Sequence, residues 1–449
     1  MVDRLVVIGA DAAGMSAATQ ARRLQPYLEI VALEKGSSTS YSACGIPYLV
    51  GGGVDDLEEL VVRTPQELRD QHKIDVRLQH EVLGIDARER WVEVRDTQRH
   101  RTFRLEFDQL HVATGARPTR PPLPGIDGVG VLGVQTLEDA RELLDRARTS
   151  RCDDVVVVGG GYIGLEMAEA FVRRGAKVTL VEGHDQVMRT MDPDMATRLL
   201  APMQGLGIDV RLGQRVTAFE PGRVHLAEGH LDADLVVLGL GVTPNSELLA
   251  EAGAETGHRD AIAVDRRQRT SLEGTYAAGD CATSHHLVSG RQTHVALGTV
   301  ANKQGRVAGT NLGGGYATFR GIVGTAVTKV CALDVARTGL TEREAAAASL
   351  EVVTSTVEST THSKYLRAPE MVVKLLAERG SGRLLGAQII GGPGAGKRID
   401  TVATALHAGL RVDEVAELDL AYAPPMGTVW DPIALAARRL DKEAEMGRP

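Results

Sequence analysis

Leu5-Val6-Val7-Ile8-Gly9-Ala10-Asp11-Ala12-Ala13-Gly14 decides the fold of this 449-residue chain. Four aliphatic residues in a row read as a buried parallel strand, and a glycine-rich turn follows at once. A helical stretch runs on to Leu24, and Glu29-Ile30-Val31-Ala32-Leu33-Glu34 supplies a second strand closed by an acid. Strand, tight turn, helix, strand and acid form the context that a dinucleotide fingerprint requires. Gly9 permits the turn, and Gly14 permits close packing of helix on strand. Backbone N–H groups from Ala10 through Ala12 and Ala13 then face a pyrophosphate at the helix start. Glu34, about twenty residues beyond Gly14, suits the hydroxyls of a ribose. Asp11 stands where the fingerprint has its middle glycine, so its side chain must point away from the phosphates.

The pattern recurs. Val155-Val156-Val157-Val158 leads into Gly159-Gly160-Gly161-Tyr162-Ile163-Gly164, a helix to about Arg174 ends at Gly175, and Lys177-Val178-Thr179-Leu180-Val181-Glu182 supplies strand and acid. Two complete copies imply two bound dinucleotides. Glu182 favours NADH, because a carboxylate accepts from a free 2′-hydroxyl and repels a 2′-phosphate. No Arg follows it directly, while His184 leaves use of NADPH open.

The length suggests about three domains. Net charge is −8 with no Lys/Arg block, which argues against a nucleic-acid partner. No apolar stretch approaches a membrane span and Leu5–Ile8 is too short for a signal peptide, so a membrane partner is not expected. The cysteines, at 44, 152, 281 and 331, lie far apart, with neither disulfide nor zinc spacing, and no histidine pair has useful metal spacing. A reduced, cytoplasmic protein without a metal is the expectation. Cys152, Cys281 and Cys331 read as structural.

Cys44 reads differently. It sits in Tyr41-Ser42-Ala43-Cys44-Gly45-Ile46-Pro47-Tyr48, roughly ten residues past the acid that closes the first unit. A relay through an internal disulfide needs a second Cys a few residues on, and the chain has Leu49 there. Such a thiol must cycle through a mixed disulfide, a persulfide or a sulfenic acid. A helix beginning near Ala43 would put the sulfur at a positive helix end and lower its pKa.

Val112-Ala113-Thr114-Gly115-Ala116 and Thr275-Tyr276-Ala277-Ala278-Gly279-Asp280 complete a resemblance, over essentially the whole chain, to the pyridine nucleotide–disulfide oxidoreductases of the flavoprotein class. Ser40-x-x-x-Cys44-Gly45-x-Pro47-Tyr48 resembles their single-cysteine branch, which includes coenzyme A-disulfide reductases, NADH oxidases, NADH peroxidases and polysulfide or persulfide reductases. The resemblance implies an α/β fold of two Rossmann-like dinucleotide-binding domains, for FAD and NAD(P)H, plus a C-terminal α+β dimerisation domain that makes a homodimer. The implied segments are 1–112 and 245–322 for FAD, 113–244 for NAD(P)H and 323–449 for the interface. Gly321-Ile322-Val323-Gly324 and Val335-Ala336-Arg337-Thr338-Gly339 resemble the opening of the last.

Flavin contacts are implied at Lys35, Thr114, Gly115, Gly279, Asp280 and Ala296, besides the first glycine turn. Nicotinamide-side contacts are implied at Gly159, Gly161, Tyr162, Ile163, Gly164 and Glu166, with Tyr162 covering the flavin and swinging aside. Branch members that reduce oxygen or peroxide carry a His inside the first turn, where this chain has Ala12. Tyr422-Ala423-Pro424-Pro425 with Asp431-Pro432 is similar to the coenzyme A-disulfide reductase C-terminus, whose Tyr reaches the other subunit's cysteine. Tyr365 matches a second Tyr of that site, and Leu366 departs from a Tyr common in relatives. Gln20, Arg23 and Ser40 match coenzyme A contacts, with Arg23 as the phosphate partner. The expected activity is NADH-dependent reduction of a low-molecular-weight disulfide, coenzyme A disulfide first. Its rivals are a persulfide or polysulfide reductase, an NADH oxidase, and a redox-sensing flavoprotein with a protein partner.

Overall fold

Strand Arg4–Ile8 pairs in parallel with Glu29–Leu33, and helix Ala12–Leu24 makes the crossover that parallel pairing demands. These elements belong to a computed structural model that describes residues 3–149 and 152–445. The first sheet runs Thr275–Ala277, Gln109–Val112, Arg4–Ile8, Glu29–Leu33, Asp75–Arg77. A strand from beyond residue 270 therefore completes a sheet begun at the N-terminus. Leu5, Val6 and Val7 are wholly buried, which explains the unbroken aliphatic run.

The second sheet repeats the plan with parallel strands Asp209–Arg211, Lys177–Val181, Asp154–Val158, Leu235–Leu238 and Val131–Leu132. The chain's two passages between these units lie side by side, as Ala116–Pro118 pairs antiparallel with Val242–Pro244. A third, antiparallel sheet spans Ala326–Val330, Leu333–Gly339, Leu384–Gly391, Glu370–Glu378 and Val352–Thr360, with helices Ile399–Ala408 and Pro432–Glu445 packed on it. Among the described residues no helix is long and apolar enough to cross a membrane.

One hydrophobic cluster unites the three parts. It gathers Ile46, Leu49 and Val50 with Leu165 and Phe171 of the second unit and Val330 and Val335 of the third sheet. A polar clasp accompanies it: the Lys374 ammonium lies 3.2 Å from Asp192 and 2.7 Å from Asp194, and also meets Glu342. Those three carboxylates are spaced as metal ligands would be, but the ammonium of buried Lys374 already lies against all three.

His111, in the first sheet, is wholly buried beside helix Ala12–Leu24, where the Ala13 backbone only partly offsets the cost of burying a charged ring. Burial depresses its pKa to about 4. The unfolded chain takes up this proton near the ordinary pH of 6.5, so stability is present above that pH and drains away as pH falls towards 4. His111→Leu should remove up to about 3 kcal/mol of that acid sensitivity. Thermal unfolding at pH 7 and pH 4.5 checks this, and parallel losses in both proteins would refute it.

Candidate functional site

Both glycine turns adopt the same solution. Gly9 has φ 95°, and a Cβ there would lie 2.2 Å from the Ala113 carbonyl oxygen; one on Gly14 would lie 1.9 Å from that of Gly9. Gly159 and Gly164 repeat this, with 2.5 Å to Gly239 and 1.9 Å to Gly159. The closing acids fold back onto the turns: Ala10 N donates to Glu34 (2.9 Å) and Gly160 N to Glu182 (2.7 Å). Asp11 and Gly161 hold the N-cap positions of helices Ala12–Leu24 and Tyr162–Arg173, yet neither caps by side chain. The first-turn N–H groups at Ala13 and Ile163 therefore have no side-chain cap among the described residues, as a pyrophosphate needs.

The residues near the first turn fit a flavin dinucleotide. The half-buried Asp280 carboxyl accepts no hydrogen bond from the described residues, and burial lifts its pKa to about 6. An orphaned acceptor of this kind suits ligand hydroxyls. Gly279 N donates to Gln304 (2.8 Å), which fixes the turn that carries Asp280. Thr114 and Gly115 lie at the passage between units, with Thr114 donating to Asn245 O (2.6 Å). Lys35 is exposed past Glu34, and Ala296 is half-buried just before helix Gly298–Leu312.

Cys44 lies where the units meet. It occupies a 3₁₀ turn, Ala43–Gly45, that runs directly into helix Ile46–Val50. That helix packs on Tyr162–Arg173, and the Arg174 guanidinium donates to Val50 O (2.8 Å). Glu166 thereby faces the Cys44 region from the second unit, and the Thr328 hydroxyl of the third sheet donates to Glu166. Tyr162 is half-buried with Thr190 and Arg337 beside its phenol. Cys44 is free and exposed, whereas Leu49 is 3% exposed and committed to the core. The other three cysteines are also free.

The thiol corrects one sequence expectation. The helix start near Ala43 exists, but the protein raises the Cys44 pKa rather than lowering it. Partial desolvation contributes most, followed by the carboxylates of Glu166 and Asp280. A five-residue helix has little dipole to set against them.

Glu182 also differs from its simple reading. Its second oxygen accepts from His184 N (2.9 Å) and contacts His184 Nδ1 (2.7 Å), while Arg189 reaches His184 Nε2 (2.7 Å). Sequence reasoning missed Arg189, which is seven positions beyond Glu182 and joins it only because the chain turns back.

Gln20 and Arg23 lie one turn apart on helix Ala12–Leu24. Gln20 donates to Thr310 (3.2 Å). Neighbouring Arg22 is spent on the carbonyls of His72, Pro26 and Lys73, whereas exposed Arg23 has no partner among the described residues. Ser40 takes a left-handed conformation, φ 49°, and its N–H donates to Ala10 O (3.2 Å). Tyr365 is 73% and Tyr422 47% exposed, on loops joined by Ser363 N to Pro424 O (3.1 Å). Neither tyrosine hydroxyl bonds to the Cys44 loop of its own chain among the described residues.

Residues 3–305 match the pyridine nucleotide-disulphide oxidoreductase family, and residues 325–432 match its dimerisation domain. The NAD(P)H sulfur oxidoreductase (CoA-dependent) of Pyrococcus abyssi is 36% identical over 97% of this chain and 98% of its own. Reduced CoADR-RHD of Bacillus anthracis aligns with a TM-score of 0.97 at 31% identity, covering 99% of this chain and 81% of that one. The NAD-dependent persulfide reductase of A. fulgidus aligns with a TM-score of 0.94 at 36% identity, covering 99% and 84%. With both of its domains matched across almost its full length, the chain belongs to the pyridine nucleotide-disulphide oxidoreductase family and is an FAD- and NAD(P)H-dependent oxidoreductase.

Proposed function

We propose that this protein passes electrons from NADH to a low-molecular-weight disulfide of the coenzyme A type through Cys44. The isolation of that sulfur carries the reading: Cys44 is exposed at the junction of the units, and Leu49 is buried where a resolving thiol would be needed. Bound FAD would accept hydride from the nicotinamide and return an electron pair towards the sulfur. The Cys44 thiolate attacks one sulfur of R–S–S–R, forming Cys44–S–S–R and expelling R–S⁻. Two electrons then cleave the mixed disulfide into the Cys44 thiolate and a second R–S⁻. The balance is one NADH, one proton and one disulfide giving NAD⁺ and two thiols.

Arg23 is the cation for a coenzyme A phosphate, since Arg22 is consumed by the backbone, and Gln20 and Ser40 flank the same approach. In a homodimer, Tyr422 and Tyr365 of the partner subunit protonate the departing thiolates. The names of the Pyrococcus and Bacillus relatives support a coenzyme A substrate, and that of the A. fulgidus relative supports a persulfide, which Cys44 would attack in the same way. Oxygen reduction is disfavoured by Ala12, which leaves the first turn without a proton-handling side chain. Turnover of coenzyme A disulfide, coenzyme A persulfide and oxygen by the FAD-loaded protein ranks the three, and a preference for oxygen would overturn the proposal.

Cys44→Ser should abolish disulfide reduction yet leave FAD bound and reducible by NADH, because hydride arrival does not pass through the sulfur. The long-wavelength thiolate–flavin band should vanish with it. Wild-type turnover in this variant would remove Cys44 from the mechanism.

NADH should be the better donor, with a margin set by opposing charges. Glu182→Gln should move the NADPH/NADH ratio of kcat/KM up, and Arg189→Ala should move it down, each by about five-fold for partly exposed charges. An unchanged ratio in both variants would show that the 2′-position is read elsewhere.

Tyr422→Phe removes one oxygen without a change of shape. It should slow thiol release by about 10²–10⁴-fold, as loss of a general acid does, with flavin reduction unaffected. Mixing Cys44→Ser and Tyr422→Phe subunits tests the crossing. Each heterodimer then has one site with both defects and one with neither, so activity should return to about a quarter of wild type. No recovery despite subunit exchange would assign Tyr422 to its own chain.

A further inference from the structure

We propose that Asp11 is a positioning residue: its carboxylate straps the Cys44 loop to the first glycine turn and so sets where the sulfur stands. This deepens the reading of Cys44 as the redox sulfur and rests on it. An aspartate at a helix N-cap ordinarily accepts from the N–H groups of its own first turn. Asp11 holds that position with no side-chain cap bond, and only the Ala12 N–H acts on its carboxylate from the helix. Its Oδ1 instead accepts from Tyr41 N (3.1 Å), three residues before Cys44.

Neighbouring groups fasten the same stretch. The Ala10 carbonyl accepts from Ser40 N (3.2 Å) and from the buried Thr39 hydroxyl. Ser42 N donates to Leu60 O (2.8 Å), and Gly45 N to Ser42 O (2.9 Å). The strand of bonds from Ala10 and Asp11 to Gly45 leaves the Cys44 turn little room to shift. A glycine at this position would offer Tyr41 N no acceptor.

The charge has a separate consequence. Asp11 faces Tyr41 and Cys44 on one side and the carboxylates of Glu34 and Asp280 on the other. Burial, with Glu34 and Asp280 adding to it, raises its pKa to about 6 although the Tyr41 N–H opposes the shift. Near neutral pH it is mostly ionised, and its charge adds to the groups that raise the Cys44 thiol.

Asparagine and alanine separate strap from charge, because Asp11→Asn keeps an acceptor oxygen for Tyr41 N and loses the carboxylate. Both variants are compared with wild type as FAD-loaded protein. Hydrogen exchange of the peptide containing Tyr41, alkylation of Cys44 by iodoacetamide, and pH titration of the thiolate–flavin band are read alongside turnover. In Asp11→Asn, Tyr41 should stay protected and the band should emerge at lower pH than in wild type. In Asp11→Ala, the Tyr41 peptide should exchange faster, the alkylation rate should change, and disulfide turnover should fall about 10- to 100-fold below that of the asparagine variant, as for a misplaced reacting group. NADH-to-flavin reduction should be equal in the two variants.

Equal Tyr41 protection in all three proteins, or equal damage from asparagine and alanine, overturns the strap. If the alanine variant does not retain FAD, the asparagine variant decides alone: a deprotected Tyr41 peptide overturns it. Failure of the Cys44 reading shows itself elsewhere, as turnover that survives Cys44→Ser, while exchange at Tyr41 still reports on the strap.

Discussion

The short helix Ile46–Val50 lies against helix Tyr162–Arg173, and the rest of the site depends on that contact. A Cβ on Gly51, just past the short helix, would come within 3.3 Å of the Ala170 Cα, so the two backbones are nearly touching. Ile46 and Val50 are wholly buried and Leu49 nearly so, in the core shared with Leu165, Phe171 and Val330. Burying each such side chain is worth about 1.5–3 kcal/mol, so the turn that carries Cys44 cannot leave without opening a core common to three parts of the chain. Leu49 is therefore an anchor.

Around this anchor the protein has arranged carboxylates. Glu166 arrives from the second unit, Asp280 from just past the returning strand of the first, and Asp11 from the first turn, and each raises the Cys44 thiol. Glu34 and Glu182 carry charge too, but each accepts from a backbone N–H of its own glycine turn. The contrast with Asp280, which accepts from no described residue, separates acids that shape the turns from an acid held ready for a ligand.

The clasp around Lys374 shows how the parts are kept in register. Asp192 and Asp194 come from the second unit, while Lys374 and Glu342 come from the dimerisation domain. Removing Lys374 would leave the buried Asp192 carboxylate without its ammonium, at a cost of about 3–5 kcal/mol. Arg337 adds to the clasp through Thr190 O (2.8 Å) and the Glu344 carboxylate (2.7 Å). Tyr162 lies beside this network, so the residue expected to gate the flavin is supported from the interface domain and not only from its own helix.

The sequence by itself determined the two dinucleotide units, because strand, glycine turn, helix and acid are local, and Gly14 and Gly164 answer a steric demand from the turn just before them. It also determined that Cys44 has no resolving partner, since Leu49 is visible without a structure. What it could not show were relations made by folding. Asp11 read only as an imperfection of the fingerprint until Tyr41 N was found against its carboxylate. Arg189 was invisible as a neighbour of Glu182 because a chain reversal brings it to His184. The pKa of Cys44 was misread from a helix start alone, because Glu166 and Asp280 lie more than a hundred residues away in the chain. Local periodicity and spacing specify backbone geometry; charge environments sum over everything within several ångströms, and only the tertiary structure decides what that is.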